Sequence, residues 1–206
     1  LRLGLAATRR TGRSGLLGLE VEFARGIAAL GARRASDASA SEPLSRVGAD
    51  ATFSRVSADL RAEVGAQRLP VALRLRATGQ SGLGKPLLRS EQLSVTSPDL
   101  VSGPPTGVLV GDSAIAARGE LAVAGAVRPF GLEVYGFGAA AFSRLEQPTA
   151  LERGETRLEA GGMGLRATLP LAGRLRLSGQ VEVSHTRGDE PLLAGNWLTF
   201  QTALRF

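Results

Sequence analysis

Apolar and polar residues alternate with period two along most of this chain. From Leu175 to Ser184, Leu175, Leu177, Val181 and Val183 fall on one parity. Arg176, Ser178, Gln180, Glu182 and Ser184 fall on the other. A β-strand sends successive side chains to opposite faces, so this spacing predicts a strand with one apolar and one polar face. The same pattern recurs at Val56–Val64, at Val71–Thr78 and at Leu198–Phe206. Ten such segments are legible: about 1–8, 15–27, 47–65, 70–79, 87–96, 113–125, 130–142, 156–168, 174–186 and 196–206. Their typical length is 9–13 residues, and no helical period separates them. Strands of soluble proteins usually run about 5–6 residues, whereas a bilayer-crossing strand needs about 9–11. The pattern therefore predicts an all-β fold, an antiparallel transmembrane β-barrel with about ten strands visible.

The connections bear on the same reading. Ala126–Pro129 and Pro170–Gly173 are short, while 97–112, 143–155 and 187–195 are long and polar. Barrels of outer membranes alternate short turns with long loops in this way. With ten strands counted, the long stretch 28–46 falls on the short side and breaks the rule, so a missed strand or a long turn is expected there. A soluble β-sandwich or a lipocalin-like barrel would alternate too. Strand length, and arginines set among small polar residues on the non-apolar face, favour the membrane barrel. The scarcity of aromatics, 4% of residues, weighs the other way, because membrane barrels carry aromatic girdles.

Composition removes other classes. The 206 residues include no cysteine and a single histidine, His185, which excludes a disulfide scaffold and a Cys-based zinc site. No run of about 18 apolar residues exists, so no membrane-spanning helix is expected. The chain opens on Leu1 rather than Met, as expected of a processed form or a fragment of a longer protein. Its formal charge is +6 and its pI about 11.2, with every basic residue except Lys85 an arginine. The arginines are scattered singly and aromatics for stacking are few, so no nucleic-acid partner is expected. No catalytic constellation is present: His185 sits on an apolar parity, and acidic pairs such as Asp189–Glu190 and Glu152/Glu155 read as solvated loop charge. Neither an enzymatic activity nor a cofactor or metal is expected. Arg74, Arg76, Arg118, Arg166, Arg174, Arg176 and Arg205 share the polar parity with Glu63, Glu120, Glu133 and Glu182. These charges form either a self-neutralising cross-strand ladder or a cationic pore lining.

More specific residues stand between 77 and 121. Gln80, Leu87, Leu88, Ser90, Glu91 and Gln92 are followed by Val101, Gly103, Gly107, Leu109, Gly111 and Asp112, and then by Glu120 and Leu121. This succession resembles the barrel of two-partner secretion transporters, the family of haemolysin activators and filamentous-haemagglutinin transporters, at the loop that folds into the barrel lumen. Residues 25–32 and 53–55 resemble that family more loosely.

The resemblance implies a bacterial, Gram-negative outer-membrane barrel of sixteen strands, preceded by periplasmic POTRA domains, that passes an unfolded partner polypeptide. The present strands would be its C-terminal part, forming one barrel domain over 1–206, with a loop at 97–112 inside the lumen. The loop residues implied are Val101, Ser102, Gly103, Gly107, Gly111 and Asp112. The inner-wall residues are Arg118, Glu120, Glu133, Ala139, Arg174 and Arg176. Phe200, Leu204 and Phe206, on the last strand, would form the signal read by the barrel assembly machinery. Two departures matter. The family's loop arginine falls on Ser102 and its tyrosine on Pro104. The inner-wall aspartate that this arginine reaches falls on Ala139, if Phe137 is that motif's phenylalanine. Losing one partner of a desolvated ion pair costs about 3–5 kcal/mol, while losing both can be nearly neutral. The expectation is a retained loop with a different lock. The alternative function is a non-transporting structural or anchoring barrel subunit of a larger outer-membrane complex. Partners are then outer-membrane lipid, a secreted polypeptide or neighbouring subunits, and the assembly machinery.

Overall fold

The computed structural model describes residues 1–12, 15–29, 31–39, 41–66, 68–171 and 175–205. Nine long strands form one antiparallel sheet in sequence order: β1 (Arg2–Thr11), β2 (Gly15–Arg25), β3 (Ser54–Gly65), β4 (Val71–Ser81), β7 (Ser113–Val127), β8 (Phe130–Arg144), β9 (Glu155–Pro170), β10 (Arg176–Gly188) and β11 (Gly195–Arg205). Two short strands, β5 (Leu93–Ser94) and β6 (Val110–Gly111), pair separately. The long strands run 10 to 16 residues, enough to cross a bilayer when tilted. β1 and β11 are the two edges, so the sheet is a partial barrel wall that is not closed on itself.

The expected tenth strand at 87–96 is not in the wall. β4 pairs directly with β7, Gln80 opposite Ala114, which leaves no place between them. The cause is local. Pro86 cannot donate to a ladder, and a 3-10 turn at Arg89–Glu91 breaks the period of two. Leu87 and Val95 are fully buried against the sheet rather than turned outward. Removing this strand repairs the connection rule. The short links are now 12–14, 66–70, 128–129 and 171–175, and the long ones 26–53, 82–112, 145–154 and 189–194. The stretch 28–46 thus lies on the long side, inside a connection that extends to Phe53. The segment expected as a strand over 47–65 begins only at Ser54, because Gly48 adopts φ 74° and Asp50 closes a turn on Thr52.

One face of the sheet is apolar and open. Leu3, Leu5, Leu73, Leu121, Val123, Val134, Met163, Val183, Leu198 and Phe200 all point outward and are exposed. The other, inner face carries the connection 82–112 and the buried core. Val95, Leu100, Val101 and Leu109 from the connection pack on Ala114, Ala116, Tyr135, Phe137, Leu158 and Ala160 from the wall. A soluble protein would bury its apolar strand face. Here the polar face is inside, which is the arrangement of a membrane barrel.

Candidate functional site

The site is the seat of the connection 82–112 on the inner face. Its base is fixed by Asp112, which is wholly buried. Asp112 accepts from the Leu87 amide at 2.9 Å, from Gln92 Nε2 at 2.9 Å and from the Glu146 amide at 2.7 Å. It also pairs with the buried Arg46 guanidinium. Arg46 in turn donates to the Glu146 carbonyl at 2.5 Å. One carboxylate therefore ties together three long connections: 26–53, 82–112 and 145–154.

From that base the chain runs inward through the β5–β6 pair, with the Val95 amide donating to the Leu109 carbonyl at 3.0 Å. Its tip is Val101-Ser102-Gly103. Val101 is fully buried, and Ser102 is 2% exposed. Ser102 Oγ donates to Glu182 on β10 and accepts from an Arg118 guanidinium N–H on β7 at 2.8 Å. Arg118 donates further to Glu182 Oε2 at 2.6 Å and to Glu120 Oε1 at 2.8 Å. Tyr135 on β8 donates its hydroxyl to Glu182 Oε2 at 2.8 Å. Arg118 also lies 3.6 Å over the Phe137 ring, a cation–π contact. A buried charge is tolerable only when paired and hydrogen-bonded, and Arg118 and Glu182 satisfy each other in this way.

Local sequence explains how these groups meet. Register places Tyr135 opposite Gly164, and Gly164 opposite Glu182. A Cβ on Gly164 would stand 2.3 Å from the Tyr135 hydroxyl, so the glycine opens the path by which the tyrosine crosses β9 to reach β10. A Cβ on Gly162 would stand 2.2 Å from the Val183 carbonyl oxygen and 2.9 Å from the Phe137 ring, so this glycine admits both the β10 backbone and the phenylalanine. Gly103 has φ 115°, and an added Cβ would meet the Trp197 ring at 2.8 Å. Gly162 and Gly164 thus give relief where neighbours approach closely, one of the roles open to glycine within a strand.

Most of the residues singled out in the sequence converge here. Val101, Ser102, Gly103 and Asp112 form the tip and the base. Gly111 belongs to β6, and Gly107 takes a positive-φ turn at 81°. Ala139 sits directly opposite Arg118 in the β7–β8 register and packs on the core cluster. Glu133 belongs to a second layer toward the short turns: Arg74 reaches it with two hydrogen bonds of 2.6 and 2.7 Å, and Arg166 bridges Glu133 and Glu120. Part of the inner charge is therefore a neutralised ladder. Arg176 lies opposite Arg205 at the short-turn end, away from the tip. Arg174 and Phe206 lie outside the described residues. Phe200 and Leu204 project outward from the edge strand β11.

Sequence reading missed Arg46, Tyr135 and Trp197 as parts of this site. Arg46 carries no strand parity, and no local signal links it to Asp112, 66 residues away. Tyr135 and Glu182 shared the inward parity, which was the one available hint. Beneath the tip, on the short-turn side, a cavity of about 810 Å³ is lined by six arginines and four carboxylates, among them Arg61, Arg76, Asp99 and Glu133.

The family model described as haemolysin secretion/activation protein ShlB/FhaC/HecB matches residues 1–143, more than half of the chain and up to the end of β8. No curated protein and no solved structure matches. With its long antiparallel strands, its apolar outer face and the inward-folded connection, the chain belongs to the ShlB/FhaC/HecB family of two-partner secretion outer-membrane barrels.

Proposed function

We propose that this chain forms part of the wall and the internal plug of a polypeptide-translocating pore. The observation that carries the reading is the docking of Val101–Gly103 across the inner face, directly above the charged cavity. The residues between β4 and β7 occupy the path a chain would take, and a retractable hold of hydrogen bonds keeps them there. In this reading the lock is borne by the wall. Arg118 and Glu182 form the buried ion pair, and at the tip the plug contributes the Ser102 hydroxyl with the Leu100 and Ser102 carbonyls. A family-type lock loses a charge from the wall when the plug withdraws. This one leaves its charges paired, so the plug departs at the cost of hydrogen bonds rather than of a buried ion pair. The secreted partner is an unfolded polypeptide, driven across by its folding outside rather than by nucleotide. The open edges β1 and β11 need pairing strands within hydrocarbon. Phe200, Leu204 and Phe206 serve as the signal read by the barrel assembly machinery.

The test is single-channel recording of the native protein in planar bilayers, with and without residues 97–108. A pore shows brief openings that become long-lived when the plug is shortened, together with loss of regulated secretion of its partner. A barrel silent in both forms would instead be an anchor within a larger outer-membrane complex. The tightness of the Arg118–Glu182–Ser102 hold is the observation that keeps that second reading in play.

A further inference from the structure

Register aligns Arg61 on β3 opposite Arg76 on β4, and Arg76 opposite Arg118 on β7. Three arginines thus stand side by side in one inner-face row, spanning about 10 Å at ordinary strand spacing. Like charges directly opposite one another destabilise a sheet. The neighbouring row on the same three strands avoids the problem: Glu63, Arg74 and Glu120 alternate in sign. In the arginine row, Arg118 is neutralised by wall carboxylates. Arg61 has no ion-pair partner among the described residues. Arg76 has one, Asp99, at 2.5 Å. Asp99 belongs not to the wall but to the inward-folded connection, three residues before Ser102, and its side chain is 66% exposed. It borders the cavity of about 810 Å³ together with the arginines.

We infer that Arg61 and Arg76 are a binding site for carboxylate side chains of an extended acidic polypeptide segment, and that Asp99 is the site's built-in occupant. The inference rests on the polypeptide-pore reading for its ligand. An extended chain repeats its side chains on one face about every 7 Å, and Arg61 and Arg76 stand on strands about 5 Å apart, so long flexible guanidinium side chains can meet acids two residues apart. A carboxylate entering the cavity can pair with Arg61 without displacing any described ion-pair partner. It then competes with Asp99 for Arg76. Displacing Asp99 removes one tie of the connection, so acidic cargo loosens the plug it must pass.

The experiment measures fluorescence anisotropy of labelled ten-residue peptides, alternating Glu-Ser or Gln-Ser, binding to the full-length folded protein in detergent. The Glu-Ser peptide binds, with affinity falling as salt rises, and the Gln-Ser peptide does not. Arg61→Gln and Arg76→Gln each weaken binding about three- to tenfold, and Asp99→Asn strengthens it by a similar factor. Arg61 is exposed, so its variant is expected to fold and keeps the test informative if Arg76→Gln does not. Equal affinity for the two peptides, or no gain in Asp99→Asn, overturns the site. Channel recordings on the same protein separate the two ideas. Openings without Glu selectivity leave the pore and sink the site, whereas Glu-selective binding by a silent barrel leaves the site and sinks the pore.

Discussion

At the scale of the residue, the tip of the inward-folded connection turns on one buried charge pair. Arg118 is 2% exposed at its side chain and Glu182 not at all. Truncating Arg118 leaves Glu182 buried with no ion-pair partner among the described residues, a loss of about 3–5 kcal/mol. Arg118→Gln is therefore expected to lower the temperature at which the barrel loses its heat-modifiable gel migration. The double variant Arg118→Met with Glu182→Gln removes both charges and should recover a large part of that loss, because contacting residues do not add. A double variant as unstable as the sum of the singles would show that the pair is not coupled. The glycines around it have an equally local logic. Gly103 meets Trp197, and Gly164 meets Tyr135, at distances that leave no room for a methyl group.

At the scale of the element, the long connections behave as a linked set. Asp112 joins three of them, and Asp50 organises the one between β2 and β3. Asp50 accepts from the Thr52 hydroxyl at 2.6 Å, from the Thr52 amide at 2.7 Å and from the Ala35 amide at 3.2 Å. The Thr52 hydroxyl, followed by these two amides, holds the Asp50 carboxyl below its ordinary value of 3.8. A carboxyl lowered on folding contributes stability that is present in full above the unfolded value and fades as pH falls through the folded one. The Thr52 amide resonance, followed by NMR in nanodiscs, should hold its position down to about pH 4 and shift only below it. A midpoint above 4 would contradict the hydrogen-bond geometry. The element scale also explains the strand count. The alternating run at 87–96 is interrupted by the turn at Arg89–Glu91 and serves an inward segment whose polar groups find partners in Asp112 and Gln80 rather than in a neighbouring strand.

At the scale of the whole molecule, the sheet is turned inside out relative to a soluble fold. Leucine, valine and phenylalanine side chains stand exposed on the outer face of every long strand from β1 to β11. The charge is gathered on the other face, where guanidinium and carboxylate groups pair across strands. Leu121, on the outer face near the middle of β7, is 56% exposed. In water its replacement by arginine would be mild. In a bilayer Leu121→Arg is expected to cost about 2–4 kcal/mol, read from denaturant refolding into liposomes. Gln201→Arg, on the inner parity of β11, serves as the control and should change stability little. Equal effects at the two positions would contradict a lipid-facing outer surface.

Sequence alone determined which residues face which way, because side-chain alternation is a property of the extended backbone and needs no tertiary contact. It also placed Ser102, Gly103, Asp112 and Arg118 near the site, through parity and through a family pattern carried by short local runs. Only the tertiary structure decided what these residues hold. Whether a period-two segment joins the wall depends on which strand pairs with which, and the β4–β7 pairing excluded 87–96. Whether an arginine is buried in an ion pair, a rung of the charge ladder or without an ion-pair partner among the described residues depends on register. The same residue type on one parity became Arg118 paired with Glu182, Arg74 paired with Glu133, and Arg61 with no ion-pair partner among the described residues. Alternation specifies a face, but cross-strand register and long-range loop closure specify the neighbours on that face, and electrostatics acts between neighbours.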